Sequence, residues 1–175
     1  MRLRTKKIAI ITLFGAVIFV TKTVVPAPIN KMLVFAQALS LGLGTLLLKK
    51  LGATYVAVIG GVLTALWNIA LAPFSFFFAL LYGLFVDGFF YLFRVTNLDG
   101  NVRTKRSIAA MTLSTVLVGL LSYYTSALFG LIPRNLALEV IIFSMGILGG
   151  FTAGYFVSII WNRRLASYLR QLQLE

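Results

Sequence analysis

From Phe74 to Phe93 the chain runs for twenty residues with a single charge, Asp87. As a helix, that stretch covers about 30 Å, the thickness of a bilayer's hydrocarbon core. A helix apolar all round is either surrounded by protein or immersed in lipid. Ser75, Ala79, Gly83 and Asp87 follow one another at steps of four, which places them along one ridge. Small side chains let a second helix approach closely, so this ridge is expected to face protein, and Asp87 with it. A carboxylate at membrane depth is expensive; it is either satisfied as a structural contact or kept for a function such as ion movement.

The rest of the chain repeats the pattern. Hydrophobic residues make up 60% of the 175 and charged residues 11%, against about 25% charged in a typical soluble domain. The expected fold is an all-α integral membrane protein: one compact bundle of six transmembrane helices over residues 1–175. The spans fall at about 8–25, 32–48, 53–71, 74–93, 107–131 and 136–161. Pro26 and Pro28 favour an extended loop between the first two, and Pro73 and Pro133 mark other turns. The first helix is long and lacks a convincing cleavage site, so no signal peptide is expected. Small-residue ridges recur: Ala36, Ser40 and Gly44; Ala53, Ala57, Gly61 and Ala65; Gly146, Gly150 and Gly154. Internal packing is the main use expected of them.

Six spans leave both termini on one side. On that side lie Arg2, Arg4, Lys6, Lys7, Lys49, Lys50, Arg94, Arg103, Lys105, Arg106, Arg163, Arg164 and Arg170; on the other lie Lys22, Lys31 and Arg134. Positive residues concentrate in the cytoplasm, so both termini are expected there, in a multi-pass protein of the plasma membrane. The same distribution accounts for the net charge of +12 without nucleic acid. With no Cys or His and no carboxylate cluster, neither a metal nor another cofactor is expected. A phosphate-binding Gly-x-x-x-x-Gly-Lys-Ser/Thr loop is absent, as are hydrolase and zinc-protease signatures, so the chain is read as a non-enzyme that does not hydrolyse ATP itself.

Polar and aromatic residues gather in the outer half: Asn30, Lys31, Trp67, Asn68, Ser75, Tyr82, Tyr123, Tyr124, Arg134, Asn135 and Glu139. Aromatic walls with a few directed polar groups suit a small, flat, polar molecule. Each has a plainer use as well. Glu139 sits in a first helical turn where it offsets the dipole, and Asn135 is placed to cap the same helix. Trp67 and Trp161 suit the membrane interfaces. Asp87 lies towards the cytoplasm, where Arg94, Lys49 or Tyr91 could partner it.

The size, topology and spacing of the whole chain resemble the substrate-binding S component of an energy-coupling factor (ECF) vitamin transporter. The basic start into Ile8-Ala9-Ile-Ile-Thr12-Leu-Phe-Gly15-Ala16 is similar to that family's first helix, as are Gly52-Ala53, Gly60-Gly61 and Asn68 to its third. The resemblance implies a ligand site in the outer half, lidded by residues 21–31, and docking through Ala9, Thr12 and Ala16 on a coupling membrane subunit that works with two ATPases. The run Tyr82-Gly-Leu-Phe-Val-Asp87 is similar to members that take thiamine precursors. The expected function is thus high-affinity binding of a vitamin or precursor for import, with Glu139, Tyr123, Tyr124 and Asn68 on the ligand and Trp67, Tyr82, Ser75, Asn30 and Lys31 around it. The alternative is a stand-alone channel or proton-linked carrier using Asp87 and Glu139. A scaffold subunit that binds only protein, and a membrane enzyme, stand behind these.

Overall fold

The structure, a computed structural model, describes residues 2–23, 33–49, 51–97 and 100–166. Six α-helices account for most of them: α1 (Arg2–Thr23), α2 (Val34–Leu48), α3 (Gly52–Trp67), α4 (Ala72–Leu92), α5 (Thr104–Leu128) and α6 (Leu136–Ile160). A 3-10 turn, Ile69–Leu71, joins α3 to α4, and a π-helical turn, Trp161–Leu165, follows α6. There is no strand among the described residues, only one bridge between Thr96 and Val102.

Three stretches are long and apolar enough to cross a membrane: Ile69–Leu92, Thr104–Leu128 and Leu136–Leu165. α2 and α3 are apolar but have 15 and 16 residues, about 22–24 Å of helix against the 30 Å of a hydrocarbon core. The third expected span, 53–71, is interrupted: its helix stops at Trp67, and the 3-10 turn carries the chain round to Pro73 in the first turn of α4. Proline is well tolerated there because a first-turn N–H has no helical partner to lose.

α2 is the central post. It touches all five other helices and is buried over most of its length, from Gln37 to Leu48. Around it the close helix pairs are α5 with α6, α3 with α4, and α1 with α3. The glycine ridges make these approaches possible. A Cβ on Gly154 would lie 2.6 Å from the Ile108 Cα, and one on Gly146 would lie 3.2 Å from the Val116 Cα. Ser107 Oγ donates to the Gly154 carbonyl at 3.0 Å across the same seam. Gly83 rides over Thr54 and Ala57, and Gly60 over Ile18. The ridges are therefore spent inside the bundle, which is where helices in lipid find their packing energy.

Gly88 differs, since a Cβ there meets nothing within 4 Å. In the interior of α4 it costs backbone entropy and contributes no close approach. Gly88→Ala should therefore raise unfolding stability by about 0.5–1 kcal/mol, read as a higher midpoint in detergent. A lower midpoint would mean that this face of α4 is packed against something.

The described basic residues collect at one end. Lys6 and Lys7 of α1, Lys49 after α2, Arg94 after α4, Arg103, Lys105 and Arg106 at the start of α5, and Arg163 and Arg164 after α6 share it; the opposite, far end carries Lys22 and Arg134. The segment between α4 and α5 is clamped at the basic end. Trp161 Nε1 donates to the Gly100 carbonyl at 2.9 Å, and the Asn162 amide both accepts from and donates to the Val102 backbone. Trp161 was expected as an interfacial anchor, but it is 7% exposed and holds this segment.

Candidate functional site

The Asp87 carboxylate is held by hydrogen-bond donors from two neighbouring helices. α3 begins after Leu51, whose backbone is left-handed and whose side chain cannot accept a hydrogen bond. The first-turn N–H groups of α3 thus lack the usual local cap. Asp87, from α4, fills that role across the helix pair. Its carboxylate accepts from the Ala53 N–H at 3.1 Å, the Thr54 N–H at 2.8 Å, and the Thr54 and Thr45 hydroxyls at 2.7 Å each. A negative charge there also meets the positive end of the α3 dipole. Asp87 is 9% exposed, and these four bonds tie α2, α3 and α4 together. They take the place of the contacts with Arg94, Lys49 or Tyr91 that sequence position suggests.

At the far end, the turn between α5 and α6 brings Tyr123, Tyr124, Asn135 and Glu139 together. Asn135 caps α6 by accepting from the Ala137 N–H at 2.9 Å, as its position predicts. The Tyr123 hydroxyl accepts from the Asn135 N–H at 2.9 Å and donates to the Asn135 carbonyl at 3.1 Å. That fixes a buried ring against the start of α6. The neighbouring Tyr124 ring, 5.4 Å away between centroids, points its hydroxyl at the Glu139 carboxylate and donates to it. Deeper in, Tyr82 of α4 is buried and shares a 2.9 Å hydrogen bond with Thr115 of α5.

The other expected site residues are spread around the same end. Trp67 is 70% exposed and meets Phe19 edge to face, Asn68 ends α3 and is exposed, and Ser75 is half-buried in the first turns of α4. None of the three is hydrogen-bonded to Tyr123, Tyr124 or Glu139 among the described residues. Asn30, Lys31 and most of the expected lid lie outside the described residues. On α1, Ala9 and Thr12 are exposed and Ala16 is half-exposed, while Gly15 and Ile18 face α3.

The depth of α2 shapes this end. Its first residues, Val34 and Phe35, lie level with Gly149 of α6, and Gly42 lies level with Val157. Leu136 precedes Gly149 by about 20 Å of helix. Above that level the central post is absent among the described helices. There α6 packs along α5, and exposed Val140, Ile141, Phe143 and Met145 span more than half its circumference. Gln37, one turn into α2, stands near the top of the post. It is 7% exposed. Among the described residues, the buried side-chain polar atom without a hydrogen-bond partner is the Thr112 hydroxyl of α5, not the Gln37 amide. Sequence reasoning passed over Gln37, although it is a lone amide in the apolar run 32–48.

Three cavities are evident elsewhere. One of about 360 Å³ lies between Lys7, Ile11, Leu48, Lys49 and Tyr55. One of about 410 Å³ lies between the end of α4 and the start of α5. A third, of about 380 Å³, is apolar and lies along α3 and α4 between Val62 and Phe76. No group of three or more acidic residues forms a metal site among the described residues. Compared with known proteins, the chain matches no family model, no curated protein and no solved structure.

Proposed function

We propose that this chain is the substrate-binding membrane subunit of a vitamin or vitamin-precursor importer, similar to the S component of ECF transporters. It lies in the plasma membrane with six spans and both termini cytoplasmic. The gathering of cations at one end of the bundle supports that orientation. The shorter α2 and α3 cross with the help of flanking residues and local bilayer adjustment.

The observation that carries the ligand-binding part is the far end. Among the described residues α2 begins about 20 Å below the start of α6, and the far end carries Tyr124 and Glu139 on one side and Trp67 and Asn68 on another. A flat heterocycle bearing an amine, such as a thiamine precursor, would stack on an aromatic ring and give its N–H groups to Glu139. Energy comes from two partner ATPases acting through a coupling subunit docked on Ala9, Thr12 and Ala16. The chain itself performs no chemistry. The carrier alternative is the weaker one, because the Asp87 carboxylate already accepts four hydrogen bonds.

Thermal unfolding of the full chain in detergent, against a panel of vitamins and precursors, tests this reading. One member should stabilise the fold by about 2.7 kcal/mol when present at a hundred times its dissociation constant. Glu139→Gln should remove most of that gain while leaving the ligand-free midpoint nearly unchanged. A folded chain indifferent to every panel member would overturn the assignment.

A further inference from the structure

The cavity between α4 and α5 at the basic end is lined by Leu92, Phe93, Arg94, Lys105, Arg106 and Ala109. Three cations and three apolar side chains share a space of about 410 Å³. Neither Arg94 nor Lys105 has an acidic partner among the described residues, and Arg106 donates only to the carbonyls of Phe93 and Arg94. Lys105 and Arg106 also stand in the first turn of α5, with no acidic residue in that turn and no side-chain cap at Arg103. Positive charge at the positive end of a helix is unfavourable unless an anion offsets it.

Arg94 adds an independent sign. α4 ends in a Schellman motif: the Arg94 N–H donates to the Tyr91 carbonyl at 3.1 Å, and the Val95 N–H donates to the Phe90 carbonyl at 3.1 Å. Val95 and Phe90 are both buried beside it, the apolar contact such a motif uses. The motif requires a left-handed backbone at Arg94, whose φ is 47°. Glycine takes that conformation freely and is the usual residue there, whereas a side chain with a Cβ is strained. Here the strained position is occupied by a long cation that opens onto the cavity. Lys49 and Leu51 also have a positive φ, so what distinguishes Arg94 is that its cation lines this cavity.

We infer that the α4–α5 cavity binds the phosphate of an anionic phospholipid, with Arg94, Lys105 and Arg106 on the headgroup and Leu92, Phe93 and Ala109 against its glycerol and first acyl carbons. A basic pocket between helices, at the end of the bundle where positive charge collects, is suited to an anionic headgroup. A soluble phosphate offers the same charge but makes no use of the apolar wall. This inference rests on the membrane-spanning part of the function proposed above and not on its ligand.

The test uses the full chain, in neutral detergent and in nanodiscs. Native mass spectrometry after titration with phosphatidylglycerol should show selective retention of the anionic lipid over phosphatidylcholine. Arg94→Gly and Lys105→Gln should each weaken retention about five-fold, the equivalent of about 1 kcal/mol per cation near a membrane surface. Arg94→Gly also relieves the backbone, so its midpoint without lipid should not fall; this separates lost binding from lost folding. Lys6→Gln, at the same end but lining none of the three cavities, should change retention less than two-fold. Equal retention of the two lipids would overturn the site, as would equal losses from Lys6→Gln and Arg94→Gly. Protection by inorganic phosphate as strong as that by phosphatidylglycerol would refute the lipid and leave a soluble-anion site. A chain that enters no nanodisc of any composition would instead sink the membrane reading beneath both proposals.

Discussion

Asp87→Ala should lose on the order of 3–5 kcal/mol of unfolding stability, because it leaves two backbone N–H groups at the start of α3 without an acceptor, at about 1–3 kcal/mol each. The carboxylate receives two backbone N–H groups and two hydroxyls at distances of 2.7 to 3.1 Å. Deleting it leaves the start of α3 without a cap, and Leu51 has no side-chain oxygen to replace it. The Thr45 hydroxyl falls back on the Leu41 carbonyl, its other partner at 3.2 Å, but the Ala53 and Thr54 N–H groups have nothing comparable nearby. Asp87→Asn keeps one oxygen and turns an NH2 group towards donors, so its loss should be roughly half as large. Denaturant unfolding in micelles reads both variants. An Asp87→Asn chain with unchanged stability and altered ion-dependent uptake would reverse the assignment and return Asp87 to a transport role.

The second large effect belongs to the seam between α5 and α6. Gly154→Leu should prevent the two helices from closing, with a loss of at least about 3 kcal/mol and in practice little folded protein. A Cβ on Gly154 would stand 2.6 Å from the Ile108 Cα and 2.8 Å from the Ser107 carbonyl oxygen. Both are backbone-anchored atoms that cannot swing aside. Separation of the helices would also break the Ser107 to Gly154 hydrogen bond and the 2.6 Å contact between Thr104 and Ser158. The control is Gly149→Ala on the same helix, where the nearest atom to a new Cβ is 3.6 Å away; it should stay within about 0.5 kcal/mol of the parent. Folded yield and midpoint together check the pair. Equal behaviour of the two variants would mean that α5 and α6 are not held as closely as described.

Much of the architecture is legible along the chain because hydrophobicity and small-residue spacing are local. The period of four through Gly146, Gly150 and Gly154 can be read before any partner is known, and it does mark a close helix seam. Asn135 could be read as a cap because its partner, the Ala137 N–H, lies two residues away. The partners of Asp87 could not be read in this way. Thr45 and Thr54 are 42 and 33 residues distant, and no periodicity links them to a carboxylate on another helix. One clue was present: the segment Leu51-Gly52-Ala53 opens a helix without Ser, Thr, Asp or Asn at its cap, so an acceptor had to come from elsewhere.

The candidate site divides in the same manner. Its residue types were visible, and their order along the chain puts Tyr123, Tyr124 and Glu139 in the same outer half. Their individual roles depended on helix rotation: Tyr123 turns in to hold Asn135, while its neighbour Tyr124 turns out to Glu139. The depth at which α2 ends could not be read either, because an apolar run states its own length and not its level against a neighbour.

Composition and periodicity alone thus establish a helical, lipid-compatible chain with cations gathered towards one face and close helix seams at its glycines. Tertiary structure alone assigned Asp87 to a cap, Trp161 to a clamp and Arg94 to the mouth of a basic cavity. The physical reason is range: burial preference and backbone propensity act on a residue and its near neighbours, whereas a hydrogen-bond partner or a cavity wall comes from whichever distant segment packing brings within about 3–4 Å.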